Sequence, residues 1–284
     1  MPGPQPAMLK NLVKVAFKAH AIVLPTKWKQ PVGDPEGNQY VDAFKLTELM
    51  RPFSTTKLFL PATPNKYHVD TQKKLHKQFD KYIDGICDAL CGAWDKWRLQ
   101  AKFSGLIITG PVAVGPPGCL KGPKLKSLIM LQAPKSSPAE KKFSESVSKH
   151  VSKAWGDWQG KVMVPGLPWY PAFAAFPLAS APPMPNVPMP LITCPSAMMA
   201  EMAVPTKLKD GMVKAHGDKK AMHHKELFDS IAKGLSAVFL MWLPMQQIMN
   251  VLGKGPVPTY APPYVPVGPV VGGNNIAAPG HLSA

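Results

Sequence analysis

Asp80, Asp84 and Asp88 recur at i, i+4 and i+8, with His76 one turn before them. On a helix this spacing puts all four on one face, where carboxylates can hold a divalent cation or work as general acid and base. Lys77 and Lys81 sit among them, and the acids lie off the apolar stripe of the same segment. A solvated charged face explains the pattern without chemistry. Cys87 and Cys91 stand four apart, not in the Cys-x-x-Cys order of redox and zinc sites, and Cys87 falls on the apolar stripe. Both are expected to be buried small hydrophobes. His223, His224 and Glu226 lack the His-Glu-x-x-His order of a zinc protease and read as a basic connector ahead of a helix.

Two further motifs fail on order. The glycine-rich run Gly110 to Gly122 carries Lys121 and Lys124 but lacks the Gly-x-x-x-x-Gly-Lys-Ser/Thr phosphate loop, and prolines 111, 116, 117 and 123 remove amide donors such a loop needs. Gly234-Leu-Ser-Ala-Val lacks the closing glycine of a nucleophile elbow and sits in mid-helix. The expectation is a protein that is not an enzyme, with no catalytic residues, no metal site and no cofactor.

The strongest internal signal is a repeated aromatic-x-x-Trp. Trp94 and Trp97 recur as Trp155 and Trp158, and in a weaker form as Phe239 and Trp242. Each pair closes a helical stripe: Cys87, Leu90, Trp94, Trp97; Val147, Val151, Trp155, Trp158; Ile231, Leu235, Phe239, Trp242. Each stripe is followed by a Pro/Gly-rich apolar segment, beginning at Gly105, Val162 and Gly255. Proline at this density forbids helix and confines strands to edges or short runs. Each helix is expected to bury its aromatics against its own Pro-rich segment, since proline rings stack well on indole faces.

These features predict an irregular α+β fold of three diverged tandem repeats, each an amphipathic helix followed by an extended or short-strand segment. The expected boundaries are an N-terminal arm or adaptor at 1–72, repeats at 73–133 and 134–206, and a third repeat at 207–284 with an extended tail. Within the arm the pattern predicts a basic helix around residues 8–20, a second helix over Val41 to Met50 and a short strand at Lys57 to Pro61. Pro134 to Lys142 and Lys207 to Lys225 read as polar basic linkers. The six aromatics form the expected core and assembly signature. Tyr260, Tyr264, Val267 and Val270 of the tail are the expected subunit contacts, because the tail is too apolar for a solvated linker and too rich in proline for a helix or a central strand.

Composition frames the partners. The chain of 284 residues has 34 Pro and 22 Gly, and its net charge of +16 comes from 33 basic residues against 17 acidic ones. Nearly all the basic residues are lysine, Arg51 and Arg98 being the only arginines. Sequence-specific DNA readers lean on arginine for bidentate base contacts, so diffuse attraction to a polyanion or an acidic protein surface is expected instead. The opening Met-Pro-Gly-Pro-Gln-Pro and the lysines at 10, 14 and 18 carry no secretory signal, and there is no Asn-x-Ser/Thr acceptor. A protein made in a reducing cytoplasm is expected, with its final place in an assembled particle such as a virion. Its expected role is structural, with other copies of itself and other structural subunits as partners. A second reading is a membrane-surface protein using the Met-rich helix Ile231 to Leu252 and the basic N-terminal helix.

Overall fold

The computed structural model describes residues 3–20, 66–169, 180–219, 221, 223–257, 260–261, 265–266 and 270–283. Met1–His20 and Ile83–Ala284 make one compact unit, and Ala21–Tyr82 make a second. Of the second unit only residues 66–82 are described, and they are helical. The expected helix at Val41 to Met50 and strand at Lys57 to Pro61 lie outside the described residues.

The chain is mixed helix and sheet. The helices are α1 (Pro6–Ala19), α2 (Lys66–Gln100), α3 (Leu125–Gln132), α4 (Pro138–Gln159), α5 (Ala200–Ala203), α6 (Pro205–His216) and α7 (His224–Trp242). The strands are β1 (Lys102–Phe103), β2 (Ile107–Thr109), β3 (Val112–Gly115), β4 (Leu120–Lys121), β5 (Val164–Pro168), β6 (Ser180–Met184), β7 (Met189–Pro190), β8 (Gln247–Ile248), β9 (Gly253–Pro256), β10 (Tyr260–Ala261), β11 (Val265–Pro266), β12 (Val271–Asn275) and β13 (Leu282–Ser283).

The aromatic signatures close three helices and meet at one point. Trp94 and Trp97 come from α2, Trp155 and Trp158 from α4, and Phe239 and Trp242 from α7, all at most 2% exposed. Trp94 and Trp97 each place their rings 4.7 Å from Trp155, edge to face. Trp94 lies 5.0 Å from Trp242, and Trp158 lies 5.3 Å from Phe239. The rings therefore pack on one another across helices and not only on the Pro-rich segments as expected, although the Trp97 indole does lie against Gly122 of its own following segment. Indole edges carry partial positive charge and indole faces negative, so rings from separate helices attract one another specifically. Each such pair adds about 0.5–1.5 kcal/mol beyond the area it buries.

α1 completes the helical layer instead of standing apart as an arm. Leu9, Val13 and Phe17, spaced at i, i+4 and i+8, are buried, and the helix lies along α7. Gly234 makes that approach possible: a Cβ there would lie 2.6 Å from the Val13 side chain and 3.3 Å from that of Leu9. The mid-helix Gly-Leu-Ser is therefore a packing notch. Two rungs of opposite charge fix the direction of α1 against α2. Lys10 pairs with Asp88 and Lys14 with Asp84, both at 2.7 Å, matching one turn of one helix with one turn of the other.

Both expected linkers contain helix, for reasons their residues carry. The Ser137 side chain caps α4 by accepting from the Glu140 amide at 3.1 Å, and the Glu140 carboxylate accepts from the Ser136 amide at 2.8 Å. With Pro138 in the first turn, this is a capping arrangement of the Ser-x-x-Glu kind. α6 likewise starts on Pro205, buries Leu208, Met212 and His216, and ends at Gly217 with φ +69°.

The longest sheet runs β5-β3-β2-β12-β9-β6, every described pairing in it antiparallel. Its end strands carry most of its prolines, Pro165 and Pro168 in β5 and Pro182 and Pro183 in β6, and the one other, Pro256, is the last residue of β9. The strands β3, β2 and β12 between them have none. Proline lacks the N–H a second neighbour needs, so the edge placement follows from the backbone. The sheet also curls. Trp169, just past β5, bridges Asn186, just past β6, and the Val187 amide donates to the Pro168 carbonyl at 2.9 Å. Ile108, Ala113, Leu167 and Trp169 are buried on the concave side.

The tail corrects a second expectation. β9 and β12 lie inside this sheet, and β13 pairs β8. The stretch after Pro269 has no proline before Pro279, so its N–H groups are free to pair on both sides. Replacing Trp155 by alanine is expected to cost about 3–5 kcal/mol in chemical denaturation, since it removes the ring that contacts all five others of the cluster. Asp84→Ala, which loses one partly exposed ion pair, is expected to cost under about 1 kcal/mol. A reversed order would show that the aromatic cluster is not the core.

Candidate functional site

The concave side of the curled sheet is filled, whereas among the described residues nothing covers its convex side. β2 and β3 form a hairpin through Gly110-Pro111, with Gly110 at φ +67°, the left-handed first position that a two-residue hairpin loop favours. This is the role of the glycine-rich run that resembled a phosphate loop. The hairpin register pairs Ile107 with Val114 and Thr109 with Val112. β12 continues both rows, placing Val271 opposite Thr109 and Asn274 opposite Ile107. Lys254 of β9 then lies beside Asn274.

Two outward rows result: Val114–Ile107–Asn274–Lys254 and Val112–Thr109–Val271. Ile107 is 51% exposed, Val112 40%, Val114 45% and Val271 46%. Four large apolar side chains thus share one solvent face, while Ala113, Gly115 and Gly273 face inward. The alternation is inverted on β3 and β12 because neighbours already fill the concave side: Leu106 and Cys119 lie where a Cβ of Gly115 would be, and Val270 where one of Gly273 would be. On β9 the Trp169 ring and Ile108 take the place of a Gly253 Cβ. The sequence marked this segment as apolar and extended but gave no face. The signal was present in Val112-Ala113-Val114-Gly115, where large residues alternate with small ones.

Polar side chains hold the rows rigid. Asn275 accepts from the Leu106 amide at 2.9 Å through Oδ1 and donates to the Phe103 carbonyl at 2.8 Å through Nδ2, pinning one end of β12. At the other end the Gly110 amide donates to the Val270 carbonyl at 2.7 Å. Val270 itself is 4% exposed, its side chain lying against Gly255. Val270, expected at a subunit contact, packs within its own fold. Tyr260 lies in the small hairpin β10–β11. Tyr264 and Val267 lie outside the described residues.

The residues first considered for chemistry are committed elsewhere. Asp84 and Asp88 are in the ion pairs to α1, and Asp80 belongs to the second unit. All four cysteines are free and buried. Burial pushes every thiol up, to about 12 for Cys91 and Cys194 and about 11 for Cys119, so none is a ready thiolate. His224 opens α7 and donates its Nδ1–H to the Ala221 carbonyl at 2.6 Å. Among the described residues no group of three or more His, Cys, Asp or Glu is placed to hold a metal ion. Asp229 was not singled out in the sequence, yet it ties three helices together. It meets Lys233 at 2.6 Å, His20 at 3.1 Å and Lys209 at 3.6 Å. Burial disfavours its charge, but the Lys233 contact and the other cations outweigh this and hold its carboxyl below the usual range.

His281 locks the chain end. It is buried, and its Nδ1 accepts from the Phe103 amide at 2.9 Å, so the neutral ring carries its proton on Nε2. Burial first, and Lys102 second, lower its pKa to about 4. Burial also lowers His150 and His216. No protein-family model, curated protein or solved structure matches this chain.

These histidines fix the sign of the acid response. Each is neutral in the fold and binds a proton more readily when unfolded, so its contribution is complete above about pH 6.5 and is lost as pH falls toward the folded pKa. Unfolding free energy is expected to fall between about pH 6.5 and pH 4. His281→Asn keeps an acceptor for the Phe103 amide without titrating, and should flatten that dependence by up to about 1.4 kcal/mol per pH unit. Parallel curves for the two proteins would remove His281 from the account.

Proposed function

We propose that this chain is a non-enzymatic structural and assembly component of a large symmetric complex. The particle we favour is a virion, as a phage tail, baseplate, neck or capsid-associated part, or a contractile-injection machine. Its partners are other copies of itself and other structural subunits. The observation that carries this reading is the rigid apolar ladder Ile107, Val112, Val114 and Val271 on the convex face of the curled sheet. Apolar side chains aligned by strand register and left in water are stabilised by burial against another surface, at about 25 cal/mol per Å² of apolar area removed.

Three duplicated units with an adaptor at 1–72 fit the same reading. Each aromatic-x-x-Trp helix runs into short strands, and duplication followed by divergence would leave the helix ends alike and the strand halves different. The lysine excess fits partners with acidic surfaces or a polyanion. The membrane-surface alternative draws less support. The helix His224–Met245 is long and apolar enough to cross a bilayer, but 72% of its most apolar window is buried inside the fold.

Val112→Lys with Val114→Lys tests the ladder, because both side chains already face solvent and the thermal midpoint should stay within a few degrees of wild type. Wild type is expected to show concentration-dependent higher-mass species in native mass spectrometry and sedimentation, and the double variant to remain monomeric. Equal assembly by both proteins, or a wild type that stays monomeric throughout, would sink the ladder as the self-association surface.

A further inference from the structure

Away from the ladder, α3, α4 and α6 enclose a half-open cavity of about 400 Å³ lined by Lys126, Lys142, Lys149, Glu145, Ser146 and His216, among others. The volume falls in the range of about 300–1,000 Å³ typical of small-ligand sites, toward its lower end. Lys142 is neutralised by Asp218 at 2.9 Å. Lys126 and Lys149 are exposed and, among the described residues, have no carboxylate within ion-pair distance. Glu145 is the one acid on the lining, against three lysines.

His216 supplies an independent observation. It is 5% exposed, stacked on Phe143 at 4.7 Å and on His224 at 5.6 Å. The Ser146 hydroxyl donates its only proton to the Lys142 carbonyl at 2.6 Å, so its 3.1 Å contact with His216 Nδ1 must be donated by the ring. Nδ1 therefore carries the proton, and buried Nε2 is left without a hydrogen-bond partner. A protein that needed only a packed aromatic here would place phenylalanine.

We propose that this cavity is a binding site for a small phosphate-type dianion, held by Lys126 and Lys149 and coupled to protonation of His216. A tetrahedral dianion supplies the two negative charges that the two unpaired ammonium groups lack. It also favours the imidazolium, which would carry a second N–H at the orphaned Nε2. The charged and titratable groups around His216 are Lys126 on α3, Lys142, Glu145 and Lys149 on α4, Asp218 after α6, and His224 on α7. In the empty protein burial and Lys142 both disfavour the imidazolium. The anion opposes both effects, so binding and protonation assist each other.

Calorimetry and histidine NMR on the full chain test the site with sulfate and inorganic phosphate as probes. Sulfate stays dianionic between pH 5.5 and 8, so any change of affinity with pH belongs to the protein. Saturable one-site binding is expected, tighter at pH 6 than at pH 7.5, with the His216 titration midpoint moved upward by sulfate. Lys126→Ala with Lys149→Ala should weaken binding by about tenfold or more. Glu145→Gln should tighten it several-fold, an effect that a purely structural role for these residues does not give. Absence of saturable binding, or a His216 midpoint that ignores sulfate, would overturn the proposal. So would binding of a single-stranded oligonucleotide but not of the small anions, which would mark a diffuse polyanion surface instead. All these variants change exposed side chains, and a thermal melt separates loss of binding from loss of fold.

Discussion

The six-ring cluster of Trp94, Trp97, Trp155, Trp158, Phe239 and Trp242 is the constraint from which the rest of the fold follows. Edge-to-face contacts have preferred distances and angles, so they hold three helix ends in register and not merely in proximity. Each of those helices is followed by strand-forming chain, which must therefore depart from a common point. Strands from all three stretches then pair with one another: β2 and β3 follow α2, β5 and β6 follow α4, and β9 and β12 follow α7. A sheet assembled from such distant parts of the sequence is costly in loop closure, and the aromatic cluster offsets part of that cost by holding the three strand-bearing stretches at one point.

The sheet also depends on side chains that imitate backbone. Proline-rich strands have fewer N–H groups to offer, and several strands are only two residues long. Asn186 fills such a gap by donating to the Ile248 carbonyl at 2.8 Å and accepting from the Val251 amide at 2.9 Å. Asn275 does the same between β12 and the chain before β2, and His281 does it for the Phe103 amide. An amide side chain is a peptide group on a short tether and can complete a ladder that proline interrupts. Asn186, Asn275 and His281 thus sit where the regular hydrogen bonding of the strands is poorest.

Helix faces were legible in the sequence because they repeat within one segment. Every member of the three apolar stripes, from Cys87 to Trp242, is buried as its spacing requires. The edge placement of prolines was legible for the same local reason. What was not legible is tertiary. The two expected linkers are rich in lysine, and that polarity outweighs the capping signals at Ser137 and Gly217 and the Pro205 that precedes the second. The meeting of the three aromatic pairs, the Asp229 contacts and the partners of Asp84 and Asp88 depend on long-range geometry that no periodicity encodes. The tail misled because its prolines were read as a property of the whole segment, whereas Val271 to Asn275 is free of them.

The inverted sheet face brings these threads together. Small residues line the concave side of β3 and β12 where neighbours already fill the space: Leu106 and Cys119 against Gly115, and Val270 and the Lys254 carbonyl against Gly273. With that interior filled, Val112, Val114 and Val271 face outward, and strand register aligns them with Ile107. Hydrophobic surface is thus placed outside by the same packing that stabilises the interior, and polar clamps at both ends of β12 keep it from rearranging. An apolar row that is rigid loses little conformational entropy when it is covered, so more of its burial energy is available for association. That is the physical connection between how this chain folds and the assembly role proposed for it.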